Sequence, residues 1–105
     1  QIPSLAVIDA SFISLSKVLP PTLKLLTADA WIVALIKPQF EVGRGKVGKG
    51  GVVRDEALQL QVVEDIRNLA LELNCRVVGV DESPILGPKG NREFLICLQK
   101  EVSHE

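Results

Sequence analysis

Methionine and tyrosine are absent from this 105-residue chain, histidine occurs once, and no apolar stretch approaches the roughly eighteen residues that a membrane helix needs. The two cysteines, Cys75 and Cys97, stand in apolar, strand-like surroundings without the spacing of metal ligands. This favours buried free thiols over a disulfide or a zinc site. Neither sign of charge dominates, because 12 basic residues face 13 acidic ones, so an anionic partner must be met by a local patch.

The composition suits one small domain, since 47% of the residues are hydrophobic. Gln1 stands first, methionine is missing and an apolar strand begins within a few residues, which predicts a piece of a larger protein. Because no signal-like segment opens the sequence, we expect a cytoplasmic protein.

Apolar runs and helical spacing predict an α/β fold. The predicted strands are residues 5–8, 30–36, 76–80 and 93–98. A long amphipathic helix is predicted between its cap Asp55 and Asn74. An earlier helical stretch is expected to break at Pro20 and Pro21, because a proline inside a helix costs about 3 kcal/mol. The order strand, helix, strand, helix, strand, strand indicates a three-layer, mostly parallel sheet with an antiparallel last strand.

Three ionisable residues fall at strand boundaries: Asp9 after the first strand, Lys37 after the second and Glu93 at the start of the last. An antiparallel strand begins at the edge where its parallel neighbours end, so all three are predicted to meet on one rim of the sheet. The carboxyl ends of strands are where open α/β sheets place their chemistry. A structural ion pair is the alternative explanation.

A glycine-rich basic loop follows Lys37, and its residues 43–48 satisfy the pattern G-x-G-x-x-G. A dinucleotide site is not favoured, because that pattern needs a strand directly before the glycines and a helix directly after them. The basic residues remain candidate contacts to RNA phosphates. The alternative is a surface loop whose cations are only solvated. The set of candidate contacts, which includes one lysine from a later turn, is Arg44, Lys46, Lys49, Arg54 and Lys89.

Four ordered motifs cover nearly all of the chain. They are DASFISL at residues 9–15, LIKPQFE at 35–41, GGVVRD at 50–55, and SPI, GPKGN and EFL within 83–95. Together they resemble the haemolysin A (TlyA) family, which are FtsJ-like ribosomal RNA 2′-O-methyltransferases that use S-adenosylmethionine. The resemblance implies a partial Rossmann-like methyltransferase fold and a Lys-Asp-Lys-Glu catalytic tetrad. Asp9, Lys37 and Glu93 match its last three members, and the first lysine has no counterpart here.

The resemblance further implies that Asp9, Ser11 and Phe12 contact the cofactor, with Lys37 as the base. By the same comparison, residues 1–105 are the carboxyl-terminal half of a methyltransferase domain, without the family's S4-like RNA-binding domain and cofactor-binding first half. We therefore expect the isolated chain to be inactive and to self-associate through the edge of its first strand. The alternative is a non-catalytic module that binds RNA or phosphate through residues 43–54.

Overall fold

The computed structural model describes residues 2–9, 14–42, 51–87 and 90–101. Within these ranges the chain forms four strands and three helices. In chain order they are β1 (Leu5–Ile8), α1 (Leu15–Lys24), β2 (Trp31–Ile36), α2 (Pro38–Glu41), α3 (Glu56–Glu72), β3 (Cys75–Glu82) and β4 (Phe94–Lys100). Apart from the short helix α2, this is the predicted order of elements.

The four strands form one sheet in the order β1-β2-β4-β3. Strand β1 is parallel to β2, and β4 is antiparallel to both β2 and β3. Hence β1, β2 and β3 run in one direction, and β4 lies between two of them in the opposite direction. The mixed sheet with an antiparallel last strand is confirmed, and the carboxyl ends of three strands share an edge with the start of β4.

One face of the sheet packs against α1 and α3. Along β2 the side chains alternate, with Ile32, Ala34 and Ile36 buried on the helix side. Ile96 and Leu98 of β4 belong to the same core as the leucines of α1 and the apolar residues of α3. The described residues therefore supply two of the three predicted layers. The opposite face of the sheet carries a shallow depression of about 360 Å³ between β2, β3 and β4.

The expected break at Pro20 and Pro21 is wrong, because α1 runs through both prolines. The carbonyls that lose their helical partners belong to Ser16 and Lys17, which are exposed, so water can bind them. The buried stripe of the helix continues past the prolines, and each fully buried leucine contributes about 1.5–3 kcal/mol. That stripe consists of Leu15, Leu19 and Leu23.

Local chemistry marks several of the helix ends. Asp55 caps α3 by accepting hydrogen bonds from the amides of Ala57 (2.9 Å) and Leu58 (3.4 Å), as predicted. Asn74 follows the helix in the left-handed region, with φ 61°, a conformation that asparagine tolerates better than most residues. At the end of α1, the ammonium group of Lys100 donates to the carbonyl of Leu23 at 2.7 Å. The last strand thereby holds the carboxyl end of the first helix.

Both cysteines are free, as predicted. Cys75 is buried at the start of β3, and burial raises the pKa of its thiol. Cys97 is partly buried and lines the depression on the open face of the sheet.

Candidate active site at the carboxyl edge of the sheet

Lys37 stands where β2 leaves the sheet. Its backbone is still extended, with φ −115° and ψ 98°, and Pro38 begins α2 immediately afterwards. The lysine is 7% exposed, and its ammonium group forms an ion pair with the carboxylate of Asp9, which follows β1 and whose side chain is 56% exposed. The structure therefore brings together two of the three predicted rim residues, one of them buried and the other open to solvent.

Glu93 occupies the neighbouring position on the same rim. The last pair between β2 and β4 is Ile36 with Phe94, so Lys37 and Glu93 each lie one residue beyond it. Glu93 is 6% exposed, and its Oε2 accepts a hydrogen bond from Nε2 of Gln39 at 3.0 Å. A Cβ atom at Gly87 would overlap this carboxylate. Glu93 is thus enclosed between α2 and the turn that joins β3 to β4.

Charged groups so close to a core are costly to bury. Removing an ion from water costs several kcal/mol even after relaxation, and apolar residues of similar volume often stabilise a protein as well or better. A buried amine next to an accessible carboxylate is an arrangement that can hold and transfer a proton. The geometry therefore favours a functional role for the rim over a purely structural ion pair.

The short helix α2 was missed by the sequence analysis, which predicted a loop from residue 38 onward. Pro38 at its first turn has a backbone torsion suited to a helix start and lacks an amide that would need a partner there. The carboxylate of Glu41 accepts hydrogen bonds from the amide of Leu15 (2.9 Å) and the hydroxyl of Ser14 (2.5 Å) at the beginning of α1. The signal available in the sequence was the side-chain amide of Gln39 and the carboxylate of Glu41, which closely follow the candidate base Lys37.

A second unpredicted set of contacts fixes the segment just before α3. Asn91 is 2% exposed; its Oδ1 accepts from the amide of Val53 (2.9 Å) and its Nδ2 donates to the carbonyl of Gly51 (3.0 Å). The buried Gln59 donates through Nε2 to the carbonyl of Val53 at 2.8 Å. Arg54, the one predicted RNA contact among the described residues, is the exposed residue next in the chain.

Arg92 links this region to β3. It donates to both carboxylate oxygens of Glu82, at 2.6 and 3.1 Å, and to Oε1 of Gln59 at 2.9 Å. The hydrogen bond from Arg92 lowers the pKa of the Glu82 carboxyl below its ordinary value, and the same contact raises the pKa of the arginine. Glu82 is exposed and Arg92 is partly exposed, so the pair lies at the surface beside the rim.

Several predicted residues lie outside the described ranges: Ser11, Phe12, Arg44, Lys46, Lys49 and Lys89. Their assignments to cofactor or RNA therefore remain predictions. None of the helices in the described part of the chain is long and apolar enough to cross a membrane.

A sequence profile of the FtsJ-like methyltransferase family matches residues 1–100 of the chain. The 16S/23S rRNA (cytidine-2′-O)-methyltransferase TlyA of Mycobacterium tuberculosis is 48% identical over 98 residues, which make up 93% of this chain and 37% of that protein. A solved structure from Lactococcus lactis, described as a hemolysin, superimposes with a TM-score of 0.92 at 42% identity, covering 99% of this chain and 51% of the other.

A more distant neighbour shares the fold. The O-methyltransferase from Bacillus cereus, solved in complex with SAH, has a TM-score of 0.52 at 18% identity and covers 95% of this chain and 42% of that one. This likeness confirms a Rossmann-like methyltransferase fold. The chain spans about a third to a half of the length of the proteins that it matches.

Proposed function

Because the chain belongs to the FtsJ-like methyltransferase family, we propose that the full-length protein containing it methylates ribosomal RNA at a ribose 2′-hydroxyl, with S-adenosylmethionine as the methyl donor. The name of the M. tuberculosis relative, which specifies this reaction on cytidine, supports the proposal. The observation that carries it is the buried Lys37 paired with Asp9 at the carboxyl edge of the sheet, beside Glu93.

Lys37 is the proposed base. A ribose hydroxyl is a weak nucleophile, so transfer is helped by a group that takes its proton as the oxygen attacks. In its neutral form, Nζ of Lys37 accepts that proton and later releases it to solvent. Asp9 and Glu93 orient the lysine and stabilise the positive charge that develops on it.

The residues on the rim fit the proposed cofactor. When bound, S-adenosylmethionine supplies an electrophilic methyl group on a positively charged sulfur. Asp9 presents a carboxylate that is more than half exposed at the end of β1, and this is an acceptor suited to ammonium or hydroxyl groups. We propose that Ser11 and Phe12 complete this contact from the residues that follow.

The basic residues are proposed to bind the RNA backbone. Arg54 follows the segment held by Asn91 and Gln59, so its backbone is fixed close to the rim. Together with Arg44, Lys46, Lys49 and Lys89 it would neutralise phosphates, and such binding weakens as salt is added. A module that only binds RNA or phosphate through residues 43–54 is the competing proposal.

The isolated chain is proposed to be catalytically inactive and to self-associate. Strand β1 lies at one end of the sheet order, and its Leu5 and Val7 are 57% and 73% exposed. An apolar strand edge of this kind is a template for pairing with another chain. Sedimentation of the 105-residue chain as a monomer at high concentration would contradict self-association. The full-length protein is proposed to act in the cytoplasm, where ribosomal RNA is available.

The proposed reaction is tested by incubating unmethylated ribosomal RNA with isotopically labelled S-adenosylmethionine and the full-length protein, followed by nucleoside digestion and mass spectrometry. We expect a ribose-methylated nucleoside with the unaltered protein and none with Lys37→Ala. Lys17→Ala, on the exposed side of α1, is the matched control and should leave the product unchanged. If Lys37→Ala retained activity, Lys37 would be only an ion-pair partner. If no protein methylated RNA, the binding module would replace the enzyme as the proposed function.

A further inference from the structure

The four-residue helix α2 makes long-range side-chain contacts on two sides of the rim. Lys37 stands at its N-cap position, Gln39 donates to the carboxylate of Glu93 just before β4, and Glu41 accepts hydrogen bonds at the start of α1. These two long-range contacts join residues 54 and 26 positions apart in the sequence. One turn of helix is therefore hydrogen-bonded to Glu93 itself and to the start of α1, where Ser14 stands five residues after Asp9.

The amide of Gln39 is oriented by Glu93. Nε2 donates to the carboxylate, and the opposite orientation would place two acceptor oxygens against each other. The other end of the amide, Oε1, is buried and has no hydrogen-bond partner. An unsatisfied buried acceptor costs about 1–3 kcal/mol, and an apolar side chain of the same size would avoid that cost. The contact with Glu93 gives a reason for an amide at this position.

Glu41 binds the start of α1. Asp9 is followed within five residues by Ser14, and the Glu41 carboxylate accepts hydrogen bonds from Ser14 and from the first amide of α1. A carboxylate is well placed there, since the first amides of a helix lack partners inside the helix and carry partial positive charge. These bonds join the start of α1 to the chain that leaves β2.

We propose that Gln39 and Glu41 are positioning residues of the reaction: Gln39 orients Glu93, and Glu41 holds α2, with Lys37 at its start, against the beginning of α1. The inference rests on the proposed methyl transfer. Neither residue takes up a proton or contacts the methyl group in this scheme. Their effect is on geometry, so their loss lowers kcat and leaves the KM for RNA nearly unchanged.

The first test is Gln39→Glu in the full-length protein, with Gln61→Glu as its control. Gln61 makes the same kind of contact, from Nε2 to a carboxylate oxygen of Asp65 at 2.8 Å, on the exposed side of α3. The substitution at position 39 replaces a hydrogen-bond donor with a carboxylate beside Glu93. Misplacement by about 1 Å can cost on the order of 10²-fold in rate, so we expect kcat to fall about 10- to 100-fold only at position 39.

The pH profile separates positioning from general damage. A protonated carboxyl group at position 39 can donate to Glu93 as the amide does, whereas an ionised one repels it. The charged groups around this position, Asp9, Lys37, Glu41 and Glu93, are common to both proteins. The ratio of variant to unaltered kcat should therefore rise as the pH is lowered, and a ratio that stays constant with pH would overturn the role of Gln39.

The second test is Glu41→Gln, with the exposed Glu64→Gln as its control. We expect faster hydrogen exchange at the amide of Leu15 and a lower kcat for Glu41→Gln, and neither change for the control. Glu41→Asp, which keeps the carboxylate, should restore both the exchange rate and kcat in part. If the Leu15 amide exchanged at the same rate in the two glutamine variants and both transferred methyl groups as the unaltered protein does, only the positioning role would be overturned. Absence of methyl transfer by the unaltered protein would overturn the proposed function and this inference with it.

Discussion

Replacing Gly87 with alanine should displace Glu93 without straining the backbone. A Cβ atom at position 87 would overlap Oε2 and Cδ of Glu93 and would lie 3.0 Å from its Cγ. The atoms in the way belong to a buried carboxylate that is also hydrogen-bonded to Gln39. The new methyl group and the present position of Glu93 are therefore incompatible.

The size of the displacement follows from ordinary contact distances. Non-bonded carbon atoms rest about 3.5–4.0 Å apart, so the carboxylate must move by roughly 1 Å or more to accept the methyl group. A shift of about 1 Å at a catalytic site can cost on the order of 10²-fold in rate, which corresponds to about 2.7 kcal/mol of transition-state stabilisation. We therefore expect the kcat of Gly87→Ala to fall about 100-fold.

The assay is methyl transfer to ribosomal RNA by the full-length protein, with thermal unfolding measured on the same samples. Gly79→Ala is the matched control, because a Cβ atom at that position has no atom within 4 Å. It should keep the activity of the unaltered protein. If Gly87→Ala were as active as Gly79→Ala, either the carboxylate of Glu93 would not need its observed position or the reaction would not use it.

Three further predictions concern stability, each measured by urea unfolding of the 105-residue chain. Ile32→Ala should cost about 2–5 kcal/mol, because Ile32 is fully buried in the centre of the core, whereas Leu71→Ala on the exposed side of α3 should stay within about 0.5 kcal/mol. Pro21→Ala should stabilise the chain by about 1–2 kcal/mol, because the restored helical hydrogen bond outweighs the greater conformational entropy of the unfolded chain. A loss of stability would show that the proline ring itself is needed. Glu82→Gln should remove a small stabilisation that is present above the ordinary glutamate pKa of 4.5 and is lost as the pH falls through the lower folded value. A difference between Glu82→Gln and the unaltered chain that persisted in acid would contradict the contact with Arg92.

The convergence of Asp9 and Lys37 could be predicted from the sequence because it depends only on strand direction. Both residues directly follow apolar runs, and two parallel neighbours must end at the same edge. Glu93 could be placed there by the same argument, since the antiparallel β4 starts at that edge. Local chemistry was also sufficient for Asp55 and Asn74 at the ends of α3.

The contacts that hold the rim could not be predicted in the same way. Gln39 and Asn91 form side-chain hydrogen bonds with residues 54 and 38 positions away, and nothing in the local pattern selects those partners. The wrong prediction of a helix break at Pro20 has a related cause. A propensity measured in isolated helices was outweighed by burial of the leucine stripe against the sheet, which only the assembled core provides.

The position of β4 has a consequence for synthesis. Strand β3 pairs only with β4 among the described strands, and β4, the last of the four to leave the ribosome, must insert between β2 and β3. Until residues 94–100 emerge, β1 and β2 can pair but the sheet cannot close. The pairing of β4 with β2, which lies far earlier in the sequence, is slow relative to local helix formation. We therefore expect folding to finish only after the ribosome has released this segment, and a nascent chain stopped before residue 94 should remain sensitive to protease.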